Sequence, residues 1–246
     1  FRKENSSERY GINLFQTMQS SFMPINEPNF GSEYILDYGD YIEIRSFGTL
    51  KKVFNEEIKR DGTITIEGIG SISLAGLDYK EASQLIKNLF MNAYIGAEII
   101  VNLKDIRDIK VLITGNVSYP GMYTLSGNSN ILQAINIAGG VKENGSLREI
   151  SLIRNGKVFQ TIDLYQALIF GDLNNIPSLR SGDSINIKPA LKLVRAGSGF
   201  VNQAIFELKE NESFFDLLKY AGGIQRSSES DNFSIIRYQG DRFKNM

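Results

Sequence analysis

Any catalysis in this chain has to run on carboxylates, lysine, tyrosine or hydroxyls, because the sequence contains no histidine and no cysteine. Those two absences remove Ser-His-Asp and Cys-His nucleophiles, thiolate chemistry, disulfides and imidazole metal sites at once. The remaining acid candidates are Glu56, Glu57, Asp105 and Asp108. A glycosidase pair needs two carboxyl groups about 5–10 Å apart across a cleft. Glu56 and Glu57 are neighbours on a strand pattern and so face opposite sides, while Asp105 and Asp108 fall in a short charged connector. No enzyme is expected.

The other residues with chemical potential read better as backbone devices. Gly39-Asp40 and Gly182-Asp183 each precede an Ile-x-Ile strand. An aspartate there can hold a cation, but capping a tight turn is the ordinary use. Asp61-Gly62, Gly115 and Pro120-Gly121 read as turns, with proline fixing φ and glycine accepting φ > 0. Gly139-Gly140 and Gly222-Gly223 follow apolar helical patterns, where glycine stops a helix in the left-handed region. Gly68-Ile69-Gly70 lacks a third glycine and a following helix start, so it is no phosphate loop and reads as a strand-to-strand turn. Among the aromatics, Tyr123 and Phe206 occupy matching strand positions and are expected in the core, whereas Tyr119 stands beside a turn and is freer to stack on a ligand. No cofactor or metal site is expected.

The elements that position these residues come in a repeat. Lys110, Gly115, Leu125, Ala138-Gly139-Gly140 and Arg154 reappear in order as Lys192, Gly197, Leu208, Ala221-Gly222-Gly223 and Arg237, with one extra residue in the second copy. Each copy opens with a hairpin pattern (Val111–Ile113 and Met122–Leu125; Leu193–Val194 and Ala204–Leu208). A short helix follows, capped at Asn128 or Ser129 in the first copy and striped by Ile131, Leu132, Ile135 and Ala138. The second helix is striped by Phe214, Phe215, Leu218 and Ala221. Strands return at Glu149–Arg154 and Phe233–Tyr238, and Asn155-Gly156 makes a two-residue hairpin into Val158–Ile162. The order is ββα and then more β, that of a β-grasp unit.

Ahead of the repeat, Tyr41–Phe47 alternates with Ile42 and Ile44 inward. Phe54–Ile58 and Thr63–Ile66 flank Arg60-Asp61-Gly62 as a hairpin signal, and Ser71–Leu74 is a further short strand. Asp78–Tyr94 is the clearest helix: Asp78 and Glu81 form a capping box, and Ala82, Leu85, Ile86, Leu89, Phe90 and Ala93 give one apolar face. Glu98–Leu103 leaves as a strand, and Asp163–Phe170 forms a helix closed by Gly171. Residues 1–33 read as an extended arm anchored by Tyr10, Phe15, Phe22 and Phe30, with Pro24 and Pro28 breaking any helix. The last repeat has no counterpart of Asp163–Ile187, so a continuing or neighbouring chain is expected to complete its sheet. The fold class is α+β: an arm (1–33), an α/β module (34–108), a β-grasp module (109–190) and an incomplete one (191–246).

Net charge is −1, with 22% charged residues, so the chain offers no basic field for nucleic acid. No run approaches the roughly 18–20 apolar residues of a spanning helix, and no signal peptide is legible at Phe1.

Tyr34-Ile-Leu-Asp-Tyr-Gly-Asp-Tyr-Ile-Glu-Ile44, Asp61-Gly-Thr-Ile-Thr-Ile66, Gly68-Ile-Gly70, Ala75-Gly-Leu77 and Glu81-Ala82 resemble the polysaccharide export domain in the family's own order. Tyr38 and Glu67 stand where that family usually has proline. Gly115-Asn-Val117, Pro120-Gly-Met-Tyr123, Ala138-Gly-Gly140, Gly145-Ser-Leu-Arg148 and Asp163-Leu-Tyr165 resemble the SLBB (soluble-ligand-binding β-grasp) domain. The second SLBB unit is weaker, with Gln203-Ala204 for Pro-Gly. Tyr10-Gly-Ile-Asn-Leu-Phe15 resembles the segment before the export domain in long, multi-SLBB members. No carboxy-terminal amphipathic helix of the kind some members use to cross the outer membrane is legible. The resemblance implies a non-enzymatic component of capsule or exopolysaccharide export in the periplasm, associated with the outer membrane. It also implies ring-like homo-oligomers that frame a conduit and act with an inner-membrane polymerisation and chain-length complex. Tyr119 and Asn116 are then the candidates for contact with polysaccharide. A monomeric SLBB-type carbohydrate-binding or sensing module is the alternative.

Overall fold

A computed structural model describes residues 8–17 and 34–225, together with the backbones of two strands at 236–239 and 242–245. The chain divides into two compact units, residues 13–189 and residues 1–12 with 190–246. Phe22, Phe30 and residues 233–235 of the expected last strand lie outside the described residues.

The larger unit begins with a single helical turn, α1 (Leu14–Thr17), where an extended arm was expected. Phe15 is fully buried, and burial of an aromatic outweighs the weak local preference of so short a segment. A three-stranded antiparallel sheet follows in the order β2 (Lys52–Glu57), β1 (Tyr41–Gly48), β5 (Ala97–Asp105). Ile42, Ile44, Phe54, Val101 and Leu103 point to one face, and α2 (Tyr79–Ala93) covers it with Ala82, Ile86 and Phe90. Asp78 accepts from the Glu81 amide and Glu81 reaches back to the Asp78 amide, closing the capping box. Leu85 and Ala93, assigned above to the apolar face, are exposed.

The expected hairpin across Arg60-Asp61-Gly62 forms only its turn. Lys59 N–H donates to Thr63 O at 2.9 Å, but β2 pairs with β1, and β3 (Thr63–Ile66) pairs with β4 (Gly70–Ser73) in a separate ribbon. Ile64 and Ile66 are thereby buried in the same core as Phe54.

After a two-residue link, a five-stranded sheet runs β7 (Gly121–Ser126), β6 (Asp108–Gly115), β10 (Ser184–Pro189), β8 (Gly145–Arg154), β9 (Lys157–Ile162). The central β10 is parallel to β6 and antiparallel to β8, the mixed arrangement of a β-grasp. Ile109, Val111, Ile113, Ile150, Leu152, Ile185 and Ile187 fill the inner face. Helix α3 (Ile131–Ile137) is capped by Asn130 with Gln133, one residue beyond the expected Ser129, and buries Ile131, Ala134 and Ile135, leaving Leu132 at the margin. Helix α4 (Leu164–Phe170) is capped by Asp163 and ends on left-handed Gly171. Asn155 and Gly156, both at positive φ, turn β8 into β9.

In the smaller unit, β11 (Leu193–Ala196) and β12 (Ala204–Glu207) pair antiparallel, α5 (Phe214–Tyr220) follows, and β13 (Ile236–Gln239) pairs with β14 (Arg242–Asn245). Arg9 forms a parallel bridge to Ile205, and Tyr10 stacks on Phe206 with ring centroids 4.9 Å apart. Arg9 also meets Glu207 at 2.7 Å, both side chains buried. The α5 stripe is rotated from the expected one: Leu217, Tyr220 and Ala221 are buried and Phe215 is 79% exposed. Tyr220 tolerates burial because its hydroxyl donates to Glu212.

Candidate functional site

The two Gly-Asp turns have the same construction. Gly39 and Gly182 take positive φ, which lets each following aspartate fold back beneath its own turn. Asp40 Oδ2 accepts from the Asp37 amide at 2.9 Å, and Asp183 Oδ2 from the Arg180 amide at 2.8 Å. Each buried carboxylate then meets an arginine from elsewhere in the unit. Arg107 Nη1 donates to Asp40 Oδ2 at 2.6 Å and its backbone amide to Oδ1 at 2.9 Å. Arg154 grips Asp183 with both Nε and Nη2, at 2.8 and 2.7 Å. Tyr34 Oη donates to Asp40 Oδ1 and accepts from Arg107 Nη1. Burial, then the Asp40 charge, pushes the Tyr34 phenol well above its usual range. With four donors on Asp40 and three on Asp183, the carboxylates are engaged in ion pairs and turn caps.

A third arginine, Arg148, is buried against Asp163, the cap of α4, at 2.8 Å, and lies over the Tyr165 ring at 4.8 Å. The sequence reading missed all three arginines as partners. Arg107 lies in the short charged connector Asp105–Asp108, where nothing local marks it as a partner of Asp40. The Asp61 carboxyl is held below its usual range by the Thr63 hydroxyl and amide, and Gly62 lies against Ala75.

Gly115 takes a positive φ, and a Cβ there would overlap the Ile187 carbonyl, so β6 and β10 close tightly at this point. Gly121, read above as the left-handed residue of the Pro120-Gly121 turn, is not among the positive-φ glycines and opens β7. The loop between them is laced to the stop of α3. Ser118 N–H donates to Gly140 O at 3.0 Å, Tyr119 N–H to Ala138 O at 2.9 Å, and Val117 bridges Val141. Gly139 and Gly140 accept helix-ending geometry, their amides bonding Asn136 O and Ile135 O. They also leave room for rings: a Cβ on Gly139 would come within 2.6 Å of Tyr119 Cδ2, and one on Gly140 within 2.6 Å of Phe15 Cβ. Gly222 and Gly223 end α5 in the same way, with Asn202 N–H on Ala221 O and Val201 N–H on Gly223 O.

Tyr119 is 68% exposed on this loop. Tyr123, expected in the core, is half-buried at the edge instead, its hydroxyl donating to Tyr119 O. At the edge the phenol oxygen finds a backbone acceptor while the ring still packs. Asn116 is turned away from Tyr119: its side-chain amide and backbone N–H both serve Ile187 O, and its carbonyl accepts from Lys142. The structure therefore gives the two candidates different partners.

Asp105 and Asp108 are exposed, and Glu57 Oε2 accepts from Tyr41 Oη. None of Glu56, Glu57, Asp105 and Asp108 lines the cleft beside Leu112 and Ser184 or the one beside Arg45 and Val53. Among the described residues no group of three acidic side chains is gathered as for a metal ion.

A helix-backed α/β module followed by a mixed β-grasp sheet is the architecture of an export domain with an SLBB domain. Residues 28–104 match the family described as polysaccharide biosynthesis/export protein, and residues 110–161 match the SLBB domain. The chain thus carries an export-type domain and an SLBB domain in sequence, the combination of the polysaccharide biosynthesis/export proteins it resembles. Two curated relatives from Escherichia coli, both named polysialic acid transport protein KpsD, are 27% identical to it over 237 residues, which is 95% of this chain. The chain spans 41% of the length of these relatives.

Proposed function

We propose that this protein is a non-enzymatic component of capsular or exopolysaccharide export, located in the periplasm in association with the outer membrane. In this reading it forms a homo-oligomeric conduit or scaffold for translocating polysaccharide. It works with an inner-membrane polymerisation and chain-length complex. The observation that carries the reading is the order of the two matched domains, export then SLBB, inside an alignment that runs along 95% of the chain to polysaccharide transport proteins. The engagement of Asp40 and Asp183 by arginines supports a scaffold role for the Gly-Asp turns over a cation-binding one.

Within the chain we assign residues 1–33 to an arm, 34–108 to the export domain, 109–190 to the first SLBB domain and 191–246 to the second. Tyr119 is the better of the two polysaccharide-contact candidates, because its ring is exposed on a loop fixed by backbone hydrogen bonds. Asn116 contributes by holding that loop to β10. Passage of a polymer suits weak contacts spread over many sites, since a tight site retains what it binds.

The oligomer is tested on the complete gene product by mass photometry across a dilution series. A conduit former populates a discrete species of several protomers that shrinks on dilution. A protomer mass at every concentration rejects the conduit and favours a monomeric carbohydrate-binding or sensing module.

A further inference from the structure

The five-stranded sheet has a second face, opposite α3 and α4, that the assignments above leave unused. Leu112 is 38% exposed there, Met122 64% and Val158 62%. The register arranges this face in two neighbouring rows that run across the strands. The first row reads Met122, Leu112, Ser184, Ile153, Val158 from β7 to β9. The second reads Thr114, Asn186, Ser151, Thr161 from β6 to β9, with Ser151 itself buried. Neither row contains a formal charge, in a chain where 22% of residues are charged. An open cleft of about 480 Å³ lies along the first row, against Leu112, Met122, Ile153 and Ser184, with Lys110 and the arginine-paired Asp183 at its margin.

The two rows differ in kind. One is apolar with a single hydroxyl, and the other is all hydroxyl and amide. Asn186 Nδ2 donates to Thr114 Oγ1 at 2.9 Å and Thr114 Oγ1 donates on to Ile185 O, so the amide is held in one orientation. No hydrogen bond among the described residues uses Asn186 Oδ1. A pyranose ring has matching anisotropy, with an apolar C–H face and a rim of hydroxyls that both donate and accept. A mostly apolar surface carrying a few oriented polar groups is how proteins generally hold such ligands. Four strand spacings give the first row a length of about 19 Å and three give the second about 14 Å, enough for an extended stretch of chain and more than a single sugar needs.

We propose that this uncovered face of the first SLBB sheet is a glycan track. It takes an uncharged, hydroxyl-rich stretch of polysaccharide laid across the strands. Ring faces rest on Leu112, Met122, Ile153 and Val158, and hydroxyls meet Thr114, Ser184, Asn186 and Thr161. The proposal rests on the export reading and gives it a surface. The absence of charge within the two rows makes the contact tolerant of sliding, because no ion pair along them has to break for the polymer to advance.

The test is an amide chemical-shift titration of the intact 246-residue chain with two probes: maltohexaose, which is neutral, and a hexamer of sialic acid, which is anionic. Maltohexaose is expected to shift Leu112, Thr114, Ser151, Ser184 and Asn186 with millimolar affinity. Asn186→Ala and Leu112→Glu should each weaken it at least fivefold without lowering the melting temperature by more than a few degrees. Shifts confined to the Tyr119 loop, binding of the anionic probe alone, or no shift at saturating probe overturns the track. Shifts at these amides that grow with protein concentration and without sugar overturn it too, identifying the face as a contact between copies. In cells, a Leu112→Glu strain with wild-type surface polysaccharide rejects the track and leaves the export reading intact. Unchanged export after loss of the gene rejects the reading itself.

Discussion

Replacing Arg107 with alanine is expected to destabilise the larger unit by about 3 kcal/mol, the lower end of what breaking a buried ion pair costs. Asp40 is fully buried and the Arg107 side chain nearly so, at 2.6 Å. Removing the guanidinium leaves the carboxylate in place with its other three donors, the Tyr34 hydroxyl and the amides of Asp37 and Arg107. Those donors keep the cost from the upper end of the range. For a unit of this size, about 3 kcal/mol lowers the melting temperature by roughly 6–12 °C. Arg107→Lys should recover part of the loss, since an ammonium restores the charge but not the bond to Tyr34 and Ile35 O. The control is Lys52→Ala, which breaks a comparably short pair with Glu67 on the exposed surface, at 2.7 Å, and should leave the unfolding midpoint nearly unchanged. Urea unfolding of the three variants decides it. A loss below 1 kcal/mol for Arg107→Ala means that the pair does not hold this junction.

Phe15→Ala should rank beside it, at about 3 kcal/mol, within the range for deleting a buried aromatic side chain. Phe15 is 1% exposed and its Cβ stands directly over Gly140, so no side chain other than hydrogen fits beneath it. The sharper form of the prediction is a coupling. Gly140→Ala in the wild type suffers both the positive φ and the collision with Phe15. In a Phe15→Ala background that residue keeps its β-carbon but can retreat, so part of the collision is relieved and the backbone strain stays. The double variant should therefore be at least 0.5 kcal/mol more stable than the sum of the singles. Strict additivity in denaturant melts would show that the helical turn at Leu14–Thr17 does not seat on the α3 stop.

Local signals carried most of the fold. Asp78 and Glu81 announced α2, Asn155-Gly156 the β8–β9 turn, and Asp163 with Gly171 the limits of α4, because each acts within a few residues of chain. What escaped were matters decided across long separations. Arg107 reads as one charge among several until the chain brings it to Asp40. Gly68-Ile69-Gly70 signals the turn from β3 to β4, but Asp61-Gly62 signals a pairing of β3 with β2 as well, and the choice between them depends on which ribbon buries Ile64 and Ile66. The phase of α5 was misjudged because two adjacent phenylalanines outweighed Tyr220, whose burial depends on a hydrogen bond to Glu212. Tyr119 was legible as an exposed ring from its place beside Pro120, whereas the partners of Asn116 were not. The open sheet face was hidden for a simpler reason. Leu112 lies between Val111 and Ile113, and three apolar residues in succession conceal which one faces out.

Cell-surface polysaccharide, quantified in a strain lacking this gene and again after the gene is restored, tests the export assignment most directly. The assignment predicts that surface polymer is lost while polymer accumulates inside the cell, and that the wild-type gene reverses both. Unchanged surface polysaccharide in the deletion strain, measured in cells that make the polymer, would contradict it.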